Sequence, residues 1–137
     1  MRGENEMKTN VLELLKETEM SKKSREQSEI IYKQLDIDSS YLMGRWFEGI
    51  QLGKFNISVQ ASGGHYCNPR KTLFDLSQYE SMELAVYKAD NSNFFRDVDF
   101  FEGFNRIDEL KERFEGTVFG AVPIDLINDF IDYLKTL

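Results

Sequence analysis

One histidine and one cysteine are present in the chain, two residues apart, in SGGHYCNPRK at residues 62–71. A nucleophilic Cys67 would require a base within hydrogen-bond reach, and His65 is the only imidazole available. Residues two apart on an extended segment point to the same side, but such neighbours rarely bring an imidazole onto a thiolate, and no catalytic signature surrounds Cys67. A closed zinc site usually takes four Cys/His ligands and the chain offers two, so neither a metal nor a cofactor is expected. The glycines and cations of the segment suit other chemistry. Gly63 and Gly64 allow backbone amides to converge on an anion, Arg70 offers a planar fork, Lys71 a point charge, and Tyr66 a ring to stack on a base. With His65, these residues form a candidate site for a small anion or nucleotide. The spacing is not a phosphate-loop or dinucleotide fingerprint, and Gly-Gly with Asn-Pro is also ordinary turn chemistry.

A second set of reactive side chains is acidic. NFFRDVDFFEGF, residues 93–104, carries Asp97, Asp99 and Glu102, and carboxylates two apart on a strand share a face that could hold a divalent cation. A bare D-x-D is a weak signal, however, and no histidine accompanies it. Charge is also divided unevenly. Residues 1–71 hold 11 Lys/Arg and 10 Asp/Glu, whereas residues 72–137 hold 6 and 14, which places the deficit in the C-terminal half. A surface this negative repels phosphates, so direct nucleic-acid binding is not expected, whereas attraction to a basic protein surface is. Asp97, Asp99, Glu102, Glu109 and Glu112, with Asp90 and Glu115 nearby, would present spaced negative charge to an arginine-rich groove, in imitation of a phosphate backbone.

The elements that must position these groups follow from periodicity. At 137 residues and 41% hydrophobic content, residues 1–137 are expected to form a single domain with one core. No run approaches the roughly 20 apolar residues that span a bilayer, MRGENEMKTN lacks the apolar run of a signal peptide, and a lone cysteine forms no internal disulfide; a cytoplasmic protein with no membrane partner is expected. Residues 4–35 read as helical, in one piece or two. Met7, Val11, Leu14 and Leu15 recur at helical spacing, Asn10 and Glu13 are set as a capping pair, and Ser24 with Gln27 offers a second cap after a break near residues 20–24. The all-polar run SKKSREQSE beside a narrow apolar stripe suits a helix that projects from the body or pairs with another, so residues 1–36 are a candidate projecting segment and a homodimer contact.

Beyond IDSSYLMGRWFEGIQLGK, whose glycines and serines break any helix, the period becomes two. Phe55, Ile57, Val59 and Ala61 form one face of a strand, and Met82, Leu84 and Val86 one face of a second. The intervening segment is longer than a tight hairpin requires. NFFRDVDFFEGF reads as a strand with a bulge or one leaving the sheet. NRIDELKERFEG reads as a short helix with Ile107, Leu110 and Phe114 inward, and VFGAV as an edge strand or linker. Pro123 opens a final helix whose buried stripe is Ile124, Ile127, Phe130, Ile131 and Leu134, with Asp125, Asp129 and Asp132 outward. The fold class is α+β: an N-terminal helix or helices, an antiparallel sheet of about three or four strands, and two C-terminal helices packed on one face.

In overall character, chiefly in the acidic stretch DVDFFEGFNRIDELKERFEG, the chain resembles the small accessory proteins of bacteriophages and other mobile elements, among them anti-CRISPR and other anti-defence proteins. The resemblance implies an inhibitor that occupies the nucleic-acid channel of a basic bacterial defence protein. It rests on no diagnostic motif, so it transfers no functional residue. The expectation is a non-enzymatic interaction protein acting through its acidic half; the alternative is a small-anion or nucleotide-binding module built on residues 62–71.

Overall fold

A computed structural model describes residues 8–39, 44–89 and 93–137. The architecture is α+β: a four-stranded antiparallel sheet in the order β1-β2-β3-β4, with the C-terminal helix packed on it. The strands are β1 (Ile50–Leu52), β2 (Phe55–Gln60), β3 (Ser81–Lys88) and β4 (Phe119–Pro123), and the helices α1 (Glu19–Gln34), α2 (Ile107–Lys111) and α3 (Ile124–Leu134). The two predicted strands fall where their alternation puts them. Ile57 faces Val86 and Val59 faces Leu84 across the β2–β3 ladder, so their apolar side chains line one face together. Against that face α3 lays Leu126, Ile127, Phe130, Ile131 and Leu134, all buried in the same core as Met82, Leu84 and Phe119. The acidic positions of α3 fall outside this stripe, as a 3.6-residue period requires.

Three expectations are corrected. The helix expected over residues 4–35 begins only at Glu19; its residues 4–7, Met7 included, lie outside the described residues. Asn10 accepts from the Leu12 amide and caps a single 3-10 turn, Val11–Glu13, and the chain then extends until Glu17 bridges Phe47. The cap of α1 is Thr18, whose hydroxyl accepts from the Ser21 amide, so Ser24 and Gln27 sit inside the helix and no break occurs at residues 20–24. What decides the start is tertiary: the Thr18 amide donates to the Trp46 carbonyl, and the Trp46 amide to Ser21 Oγ. Second, β1 falls in a segment expected to hold no element. Gly53, at φ +61°, opens a two-residue turn that pairs Leu52 with Phe55.

Third, NFFRDVDFFEGF is not a strand. Phe94 makes one bridge to Tyr87, after which the chain turns into a 3-10 helix, Val98–Phe101. Phe101 and Phe104, three apart, are both buried, a helical and not a strand spacing. Phe101 packs edge-on against Phe130 at 5.2 Å between ring centroids, and so fastens this loop to α3. The VFGAV segment is β4, paired with β3.

The N-terminal segment is tied to the far end of the chain. The Val11 amide donates to Asn128 Oδ1 at 2.8 Å, Thr9 bonds Asp132, and Val11 is fully buried. By contrast α1 buries only Ser21, while Ile30, Ile31 and Leu35 stay exposed. No described helix is long and apolar enough to cross a membrane.

Candidate interaction surface

The carboxylates of the C-terminal half gather around two cations. Lys111, in α2, binds Asp99 at 2.7 Å and also feels the charges of Glu102 and Asp108, so the Asp99 hydrogen bond and these neighbours hold the ammonium above its usual range. One helical turn before it, Arg106 forks onto Glu109 with bonds of 2.7 and 2.9 Å, and its Nη1 donates to Asp129 at 2.8 Å and Asp125 at 3.0 Å. These contacts raise the guanidinium well above its ordinary value, with Glu109 the largest cause and Asp129 the next. In return Arg106 lowers the Glu109 carboxyl. Six carboxylates thus surround two cations. A net negative field persists, on a surface assembled from the 3-10 turn, α2 and α3.

Local sequence explains why they meet. Arg106 and Glu109 are i,i+3 neighbours at the entry to α2, while Asp125 and Asp129 are i,i+4 neighbours on the outer face of α3. Of the expected contact residues, Asp99, Glu102 and Glu109 join these two groups. Asp97 and Glu112 are exposed but take part in neither set of bonds, and Glu112 instead lines a shallow depression with Arg113, Glu115 and Gly120. Asp90 lies outside the described residues. Sequence reasoning missed Asp108, Asp125 and Asp129 as members and Arg106 and Lys111 as organisers; the outward Asp125/Asp129 pair was the available signal.

The 62–71 loop is organised differently, from beneath. Arg45, 3% exposed, donates to the Ala61 and Leu73 carbonyls, each at 2.7 Å, and to Tyr79 Oη at 3.2 Å, and its guanidinium stacks 4.7 Å from the Phe47 ring centroid. Tyr79 in turn donates to the Lys71 carbonyl and accepts from the Leu73 amide. Gln60 presents its side-chain amide to both backbone groups of Phe47, extending the sheet by one pseudo-residue. Over this base the loop closes on itself. The Gly63 amide donates to Thr72 Oγ1 and the Gly64 amide to Ser62 Oγ, so the two amides expected to face an anion are engaged internally.

His65 is 3% exposed; its Nδ1 meets Ser62 Oγ at 2.6 Å and its ring stands perpendicular to Trp46. Burial, then the nearby Arg45 and Arg70 charges, lower its pKa from 6.5 to about 4. The single Cys67 S–H is shared between the Ser62 and Pro69 carbonyls, each 3.3 Å from Sγ, and not given to the imidazole, and burial pushes its pKa up. The structure therefore pairs His65 with Ser62 and leaves Cys67 a protonated core thiol. Arg70 lies over the Tyr66 ring at 4.8 Å, both at the surface, and the Tyr66 carbonyl accepts from the Ala121 amide, which fastens the loop to β4. Among the described residues no three of His, Cys, Asp and Glu converge as metal ligands.

The fold and surface define a small α+β protein with an acidic C-terminal face and a self-closed central loop. No family model, curated protein or solved structure matches the chain.

Proposed function

We propose that this protein is a non-enzymatic interaction module, an inhibitor that docks its acidic C-terminal face on a basic, nucleic-acid-handling protein of a bacterial defence system. The observation that carries the reading is the three-to-one excess of carboxylates around Lys111 and around Arg106, two exposed groups joined by the short helix α2. Arg106 fixes three carboxylates and Lys111 fixes Asp99 without neutralising either group, so part of the charge is already arrayed before a partner arrives and those side chains have less entropy to lose. A partner groove built for a phosphate backbone offers the complementary field. The same proposal includes pairing of two chains through α1, where Ile30, Ile31 and Leu35 are exposed. Sedimentation should then show a dimer that Ile31→Asp converts to monomer.

The docking test compares the wild-type protein with a variant carrying Glu102→Gln, Asp108→Asn, Glu112→Gln and Asp125→Asn, each immobilised and exposed to bacterial lysate. The expected result is a basic nucleic-acid-binding protein retained by the wild type at low salt, released by high salt or by added duplex DNA, and absent from the variant. Equal retention by both proteins would overturn the reading.

A further inference from the structure

An aromatic concavity lies at the opposite end of the β2–β3 ladder from the 62–71 loop. It has a volume of about 570 Å³ and is lined by Lys54, Phe55, Lys88, Ala89, Phe95, Asp97 and Phe100. Its position follows from the register. Lys54 occupies the β1–β2 turn, Phe55 pairs with Lys88 at the end of β3, and the Ala89 amide donates to the Lys54 carbonyl, which holds the two lysines on neighbouring strands at one rim. The floor is aromatic. Phe55 and Phe95 lie edge to face at 5.3 Å, Phe95 and Phe100 at 5.4 Å, and all three contact the buried Phe101 beneath.

Two features set this cleft apart from an ordinary surface dimple. Phe100 is held on a rigid aromatic base yet is 52% exposed, so a flat ring stands ready at the mouth. The charges around it are also unspent: neither Lys54 nor Lys88 makes an ion pair with a described residue, and neither does Asp97, although the acidic face a few residues away is laced with ion pairs. In a chain of net charge −7, two ammonium groups that make no ion pair with a described residue stand beside one aromatic platform, with Asp97 also in the lining, and Lys88 lies 5.8 Å from the Phe95 ring centroid.

We propose that this cleft binds a mononucleotide, a small planar heteroaromatic anion. Its base stacks on Phe100 and meets the edges of Phe55 and Phe95, its phosphate bridges Lys54 and Lys88, and Asp97 accepts a hydrogen bond from a ring or exocyclic N–H. The volume is within the range of small-ligand sites. An acyl chain fits the lining less well, because it would need a channel deep enough to cover it, whereas this cleft offers a ring platform at the surface.

The test is titration of the four ribonucleoside 5′-monophosphates into the full chain, followed by amide chemical shifts. At least one should bind saturably and shift Ala89, Phe95 and Phe100. The matching nucleoside should bind about tenfold more weakly, and inorganic phosphate alone should leave Phe100 unmoved. Phe100→Ala, and Lys54→Ala combined with Lys88→Ala, should each weaken binding by about tenfold or more while leaving the remaining spectrum dispersed, since all three side chains are exposed. No saturable binding by any of the four, shifts confined to residues 62–71, or decanoate binding as tightly as the nucleotide would each overturn the proposal.

Discussion

Arg45 and Arg106 each hold together a different region of the molecule, and they do so by opposite means. Arg45 is buried and has no carboxylate among its described hydrogen-bond partners; its Nη1 and Nη2 donate to two carbonyls and a tyrosine hydroxyl and its plane lies over an aromatic ring, while Nε has no partner among the described residues. Arg106 lies at the surface, where three carboxylates surround it. A buried cation bonded to backbone carbonyls fixes the course of a loop, because each of those carbonyls loses a short charge-assisted hydrogen bond if its segment moves away. A surface cation among carboxylates fixes side-chain positions and little else, since water replaces its bonds at small cost. The stable knot and the charged face are therefore separate constructions. The 62–71 loop belongs to the first and the proposed docking face to the second.

The most severe way to test this contrast is Arg45→Met, which retains much of the apolar stem and removes the donors. The part-buried Leu73 carbonyl would lose its guanidinium donor and the buried Ala61 carbonyl would keep only Tyr79 Oη at 3.5 Å, at about 1–3 kcal/mol each, so a loss of about 4 kcal/mol is expected from urea denaturation. A loss near that of an average surface substitution would show that water replaces the guanidinium, and the knot would then not be a buried construction at all.

Acid should strain the same knot next. His65 has its folded pKa depressed from 6.5 to about 4, so between these values the unfolded chain binds a proton that the folded chain refuses. Stability is therefore full above pH 6.5, falls as pH drops towards 4, and levels below it, with a total of about 3 kcal/mol. Carboxyl groups titrate across the same window, and Glu83, raised mainly by burial, acts in the opposite direction by favouring the protonated folded form. The informative measurement is accordingly the difference in pH slope between wild type and His65→Gln. Equal slopes would mean that the imidazole reaches solvent and is not part of the knot.

How much of this was legible in the sequence depends on the range of the interaction. The alternation in β2 and β3 and the apolar stripe of α3 are local patterns, and they placed the sheet and its covering helix before any contact was known. The start of α1 was not local. Its polar run contains several residues able to cap, and only the pairing of residues 17–18 with residues 46–47 selects Thr18. The hairpin at Gly53 could have been read from LGKF, a glycine turn between apolar residues. In NFFRDVDFFEGF the paired phenylalanines hid the three-residue spacing of Phe101 and Phe104. For the sites the limit was the same: the chemistry of SGGHYCNPRK was visible, but nothing in its spacing says that Arg45, Thr72 and Tyr79 consume its polar groups. Asp125 and Asp129 were visible as outward residues, yet nothing local brings them to Arg106.

Arg106→Gln should then cost only about 1 kcal/mol, because its partners are exposed and regain water. The loss should shrink in high salt, which Arg45→Met would not show, and a salt-independent loss would place Arg106 in the same class as Arg45.

The smallest effect on stability belongs to Asp125→Asn. Asp125 is the most exposed of the three carboxylates on Arg106, and the guanidinium keeps Glu109 and Asp129 without it. The expected change in unfolding free energy is within about 0.5 kcal/mol. If the acidic face is a docking surface, the same substitution should still lower the salt dependence of partner capture, since it removes one fixed charge from the array without disturbing the fold. A stability loss comparable to that of Arg106→Gln would mean that the carboxylates act with Arg106 as a structural clamp, and the charge on this face would then be explained by folding alone.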